Sequence, residues 1–207
     1  MGNSLTYTND LPAMVAAMGM SPGSPRPIQA KGLTIPRATL EQLWRVGSGA
    51  KAVQEGHWDF VILQERGTWP LRDPENMYVY ARLFDAEIRK SGAKTVFFIT
   101  WAPLDREETQ PVVDRVYRKI AGELNAMIAP VGPAWAEARK LDPKINLYNG
   151  DRYSHPTVAG SYLAACVVYL VIMDRQACPA MAPSFDIQAD EIEVARKAAS
   201  LAAANSR

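Results

Sequence analysis

Three short runs of uninterrupted apolar residues limit what this chain can become: Asp59 to Gln64, Lys94 to Trp101 and Ala126 to Val131. A strand with one wet face alternates apolar and polar residues. These runs do not, so each reads as a strand covered on both faces. Helical patterns separate them, from Pro74 to Ser91 and from Pro111 to Asn125. Upstream, Asp10 to Met20 reads as a helix with Leu11, Met14, Val15 and Met18 on one face. Ser21 to Pro27 is a Pro-rich loop, Ile28 to Ile35 a further strand, and Thr39 to Glu55 a helix weakened at Gly47 and Gly49. Downstream come a short helix from Pro133 to Leu141 and a polar loop from Asn149 to Ser154. The apolar helix Ala159 to Met173 and an Ala-rich helix Asp190 to Ala204 follow. Strands alternating with helices predict a parallel sheet inside a three-layer α/β/α sandwich. No repeat or linker divides the chain, so residues 1–207 read as one domain. In such sheets a ligand site lies beyond the carboxyl ends of the strands.

Charge and cysteine usage exclude several classes. Lys and Arg total 23 against 22 Asp and Glu, which removes the basic footprint of a nucleic-acid binder or a polybasic membrane-surface protein. Two His and two Cys are too few for a zinc ribbon or a disulfide scaffold. Cys166 lies inside the apolar helix and Cys178 beyond its end, so both are expected to be free thiols. That helix is interrupted by Gly160 and Ser161 and is shorter than the roughly 20 residues of a membrane span. No secretory leader opens the chain, and the compartment stays open, because a processed exported protein would begin in the same way.

Position sorts the candidate residues. His57 precedes a strand, at the amino-terminal edge of the sheet, and reads as structural. His155, in Asp151-Arg-Tyr-Ser-His-Pro156, enters a helix at the opposite edge and is the candidate base. Asp151 lies four residues earlier, where a carboxylate can fold back to orient the imidazole; an Asp in a turn is the bland reading. Ser4, in Gly2-Asn-Ser-Leu5, is either a helix cap or a nucleophile. Gln64 ends a strand, where its amide could donate to an oxyanion or bond its own loop.

Together, Gly-Asn-Ser-Leu near the amino terminus, Asp-Phe-Val-Ile-Leu-Gln-Glu in the middle and Asp…His-Pro-Thr-Val-Ala-Gly-Ser-Tyr-Leu late in the chain resemble the SGNH (GDSL-type) hydrolases. The closest likeness is to the bacterial branch with Gly-Asn-Ser and Leu-Gln-Glu blocks. The resemblance implies a flavodoxin-like sandwich and a serine ester hydrolase, with Ser4 as nucleophile, His155 as base and Asp151 orienting it. It implies an oxyanion site made by the Ser4 N–H, a second backbone N–H and a side-chain amide. Gln64 stands where the family has an Asn, and Ala38 stands nearest the family's second-block Gly. Arg152 occupies the family's usual Asp position, with Asp151 one residue further back. Trp69, Trp101 and Tyr153 fall on loops at the site edge and are expected to wall the substrate.

The expected substrates are small acyl esters, including acetyl groups on carbohydrate, and the chemistry needs no metal or organic cofactor. The alternative is a relative that binds acyl groups or carbohydrate without turning them over. A nucleotide binder fits poorly, because no Gly-x-Gly-x-x-Gly or Walker-type loop follows any strand. The family places a strand before its first block, and only Met1 precedes Gly2 here. The expectation is that upstream residues supply that strand, that its neighbours pair directly, or that a strand is borrowed from another copy in a homo-oligomer.

Overall fold

A computed structural model describes residues 1–150, 154–179 and 185–206. The short helix α1 (Ser4–Tyr7) leads into α2 (Leu11–Gly19), followed by α3 (Leu40–Arg45), α4 (Ser48–Glu55) and strand β1 (Phe60–Leu63). Next come α5 (Trp69–Arg72), α6 (Pro74–Lys90), β2 (Lys94–Phe98), α7 (Gln110–Glu123) and β3 (Met127–Ala129). The chain closes with α8 (Val131–Leu141), α9 (Val158–Ile172) and α10 (Ala189–Ala204).

The three strands are parallel, in the order β1-β2-β3, with Phe60 opposite Lys94 and Val96 opposite Met127. Alternation along β2 divides the core. Val96 and Phe98 join residues of α2, α8, α9 and α10 on one face. Phe97 and Ile99 beyond the strand's end join residues of α3, α4, α6 and α7 on the other. The result is the helix–sheet–helix sandwich that uninterrupted apolar strands require. Helix α9 packs against α2, α8, α10 and β3, which explains its apolar surface all round. Thr157 caps it, its hydroxyl accepting from the Gly160 N–H at 3.1 Å. No helix among the described residues is long and apolar enough to cross a membrane. Cys166 and Cys178 are free and buried.

Two elements differ from the sequence reading. The helix expected over Thr39 to Glu55 is two helices, broken at Gly47, whose φ of 80° no other residue type adopts easily. The strand expected over Ile28 to Ile35 is extended chain with a single bridge, Thr34 to Gly2. No first strand forms among the described residues, as expected, and a single isolated bridge at Gly2 stands in its place. Gly2 exchanges bonds with the Leu33 carbonyl and the Ile35 N–H, both at 3.1 Å, while the Met1 carbonyl accepts from Gln64 N–H at 3.0 Å. Met1 and Gly2 thus lie between Thr34 and β1, and the flanking segments neither pair directly nor lack a neighbour. Gly2 makes one bridge to the Ile28 segment, and no ladder follows from it. The Met1 ammonium donates to the Ile62 carbonyl at 2.6 Å. The methionine side chain is partly exposed, but the ammonium is enclosed, and that desolvation lowers its pKa to about 5.

Candidate active site

Gly2 delivers the chain to the carboxyl edge of the sheet. A Cβ there would overlap Gln64 Oε1 and Thr6 Oγ1, so only glycine lets this segment pass so close to the end of β1. Asn3 then caps α1. Its Oδ1 accepts from the Leu5 N–H at 3.2 Å and its Nδ2 donates to the Ala38 carbonyl at 2.9 Å. Asn3 is almost fully buried, so the cap also fixes where Ser4 begins the helix. Ser4 itself is half-buried.

Two consecutive left-handed residues, Asn9 (φ 59°) and Asp10 (φ 51°), turn the chain sharply between α1 and α2. At that turn Asn9 Nδ2 donates to the Pro156 carbonyl at 3.2 Å and to Ser161 Oγ at 3.0 Å. Trp101 Nε1 donates to the Ser154 carbonyl at 2.8 Å, and the Asn149 N–H donates to the His155 carbonyl at 3.0 Å. These bonds hold both flanks of His155. The imidazole Nε2 lies 2.8 Å from Ser4 Oγ, across 151 positions of sequence. For the hydroxyl to donate, the imidazole must carry its own proton on Nδ1. Such a pair can draw the proton from a serine as it attacks.

The remaining sequence candidates divide. Asp151 and Tyr153 lie outside the described residues. Gln64 is fully buried, and its amide is turned inward rather than toward the nucleophile's open side. Its Oε1 accepts from the Asn3 N–H at 3.0 Å and Thr6 Oγ1 at 2.9 Å, and its Nε2 donates to the Glu65 carbonyl. It fastens the nucleophile segment to the end of β1, because a buried amide takes whatever backbone partners the strand end offers. The Ala38 N–H is also engaged, donating to the Ile35 carbonyl at 3.1 Å. Of the three expected oxyanion donors, the Ser4 N–H is the one with no partner among the described residues. Trp101 is 2% exposed and stacked on Trp135 with ring centroids 4.0 Å apart, so it braces the His155 loop from below rather than walling a substrate. Its edge reaches a hollow of about 270 Å³, shared with Gly132, Arg139 and Tyr148, which includes neither Ser4 nor His155. Trp69 is half-buried, with the Arg66 guanidinium 5.8 Å from its ring centroid. His57 is exposed, at the far edge of the sheet.

Glu65 escaped the sequence reading. It is fully buried, and its Oε2 accepts from the Leu40 N–H at 3.2 Å and its Oε1 from the Arg66 N–H at 2.6 Å. Burial raises its pKa to about 7, outweighing the two N–H donors and the Arg66 charge that pull it down. Its signal was visible: an acid immediately after an apolar strand end, inside the Leu-Gln-Glu block. Asn9 and Ser161 carried no local signal, since their role is a contact between distant segments.

No protein-family model and no curated protein sequence matches the chain. Solved structures do. A protein from Slackia heliotrinireducens assigned to the SGNH hydrolases superposes with a TM-score of 0.69 at 23% identity, over 83% of this chain and 95% of that one. A DUF4886 family protein from Bacteroides uniformis gives 0.72 at 16% identity, over 97% and 92%. The acetyl xylan esterase AlAXEase gives 0.64 at 16% identity, over 81% and 95%. At these identities the likeness is one of architecture, and it agrees with the parallel sheet and the helices on both its faces. The fold of this chain is that of the SGNH (GDSL-type) hydrolases.

Proposed function

We propose that the chain is a serine esterase that hydrolyses small acyl esters, including acetyl esters of carbohydrates. The observation that carries this reading is the 2.8 Å contact between Ser4 Oγ and His155 Nε2 at the carboxyl edge of the sheet. Ser4 Oγ attacks the ester carbonyl while His155 Nε2 takes its proton. The tetrahedral intermediate collapses, and the leaving alkoxide receives that proton from Nε2. Water then attacks the acyl-Ser4 ester by the same route, giving the carboxylic acid and free Ser4. Structural likeness to an acetyl xylan esterase supports an acetyl group on a sugar as the substrate class. Asp151 is proposed to orient His155, and residues 1–207 to act as one catalytic unit.

One observation favours a slow enzyme or a binding relative. With Gln64 and the Ala38 N–H engaged internally, Ser4 supplies the remaining expected donor to the oxyanion. The loss of one such donor costs about 10²–10³ in kcat. A fluorophosphonate probe tests the reading, because only an activated serine reacts with it. We expect the wild-type chain to be labelled, Ser4→Ala to be unlabelled, and His155→Ala to react at least about 10³-fold more slowly. A panel of acetyl, butyryl and longer p-nitrophenyl esters should show turnover falling with acyl length. Labelling that survives Ser4→Ala would remove the nucleophile assignment.

A further inference from the structure

Two arginines stand on loops that touch the segment around Ser4, and among the described residues neither forms an ion pair. Arg37 precedes Ala38, whose carbonyl is held by Asn3 Nδ2 at 2.9 Å. Arg66 follows Glu65, whose carboxylate holds the Leu40 N–H at 3.2 Å. The next residue, Gly67, comes so close to Leu5 that a Cβ would touch Leu5 Cδ1 at 3.4 Å. The two arginines therefore sit on adjacent loops that straddle Asn3 to Leu5. Arg37 is exposed and Arg66 half-buried. Other cations, such as Arg45, Arg82, Arg89 and Arg139, pair with carboxylates, but among the described residues neither Arg37 nor Arg66 does.

The backbone of Arg37 adds an independent observation. Residues Ile35, Pro36, Arg37 and Ala38 form a turn closed by the Ala38 N–H to the Ile35 carbonyl at 3.1 Å. In the type II form of such a turn, which suits Pro second, the third position takes a positive φ, where glycine or asparagine is the usual occupant. Arg37 holds that position at φ 60°. Five described non-glycine residues have positive φ; four are Asn or Asp, which tolerate it, and Arg37 is the exception. The fold keeps a strained arginine where glycine would relax the turn, beside a nucleophile. Arg66 is ordered differently, by stacking over Trp69.

We infer that Arg37 and Arg66 recognise a negatively charged group on the substrate, a carboxylate or a phosphate carried near the scissile ester. The assignment rests on the esterase reading of Ser4 and His155 and names the substrate class within it: acyl esters of acidic compounds, such as O-acetylated acidic sugars. Guanidinium forks suit both oxyanions, and among the described residues neither fork is closed by an ion pair. Trp69 supplies the flat face behind Arg66.

Three acetyl esters of similar phenols test this: methyl 4-acetoxybenzoate, 4-acetoxybenzoate and 4-acetoxyphenyl phosphate. We expect kcat/KM for at least one charged ester to exceed that of the neutral one by about fivefold at low salt, shrinking as ionic strength rises. The better of the two charged esters tells carboxylate from phosphate. Arg37→Gly should lower the charged-to-neutral ratio to near one while raising Tm by about 1–3 °C, since glycine relaxes the turn. A merely structural arginine would not separate those two readouts. Arg37→Lys, which keeps the charge, should retain most of the ratio, and Arg66→Gln should lower it. Equal kcat/KM for all three esters, with Ser4-dependent hydrolysis intact, overturns this inference and leaves the esterase standing. A charged-ester preference that survives Arg37→Gly and Arg66→Gln overturns it as well. If no ester is hydrolysed in a Ser4-dependent way, the underlying function fails, and this inference with it.

Discussion

Glu65 holds a carboxyl group where water does not reach, and the consequence is measurable in stability. Its folded pKa is about 7, against 4.5 ordinarily. Below pH 4.5 it is protonated folded or unfolded, and burial carries no ionic cost. Between 4.5 and about 7 the unfolded chain ionises first, so stability falls as pH rises. Above 7 the loss levels off at about 3 kcal/mol. The Met1 ammonium, lowered from 8.0 to about 5, acts in the opposite sense and adds stability as pH rises from 5 to 8. Comparison with Glu65→Gln isolates the carboxyl: thermal melts should show the variant gaining several degrees on wild type at pH 8 relative to pH 5. A constant difference across that range would mean that Glu65 does not titrate there. Gln64 makes the complementary case. Gln64→Ala strands the Asn3 N–H and the Glu65 carbonyl, and should cost about 2–4 kcal/mol in denaturant unfolding, with activity lost through Ser4's placement.

Helices α7 and α9 each contain a glycine, and packing gives the two opposite meanings. A Cβ on Gly122 meets nothing within 4 Å, so Gly122→Ala should add about 0.5 kcal/mol through helix propensity. A Cβ on Gly160 would lie 2.6 Å from the Leu147 carbonyl and 2.8 Å from the Trp135 ring. Gly160→Ala should therefore lower Tm and slow probe labelling together, because the same carbonyl accepts from Thr157 N–H at the base of the His155 loop. Calorimetry on the pair, beside the labelling rate, checks both signs. The same dependence on neighbours explains which elements could be read from sequence. The strands Phe60–Leu63, Lys94–Phe98 and Met127–Ala129 stood out because burial on both faces leaves an unbroken apolar run. The Ile28 segment looked like a strand too, but strand length also depends on the partner, and Gly2 offers one bridge. The positions of Ser4, His155 and Gln64 were legible through the resemblance of their motifs to a known family. The inward turn of the Gln64 amide and the Trp101–Trp135 stack were not, since both depend on contacts that no local pattern encodes.

At the scale of the whole molecule, the Ser4–His155 contact joins α1 to the loop before α9. Met1 and Gly2 lie between Thr34 and β1, so they occupy a place bounded by residues made later. Asn9 then waits for Pro156 and Ser161 to complete its bonds. During synthesis, Ser4 emerges 151 residues ahead of the imidazole that lies 2.8 Å from it in the fold. At about 5–20 residues per second, that interval is roughly 8–30 s. For its duration the serine is an ordinary alcohol with no partner to take its proton. A ribosome that stalls within it releases a chain carrying Ser4 without its imidazole. On the proposed reading the distance in sequence works as a clock: labelling of Ser4 would report that synthesis has passed His155 and that the two segments have folded together.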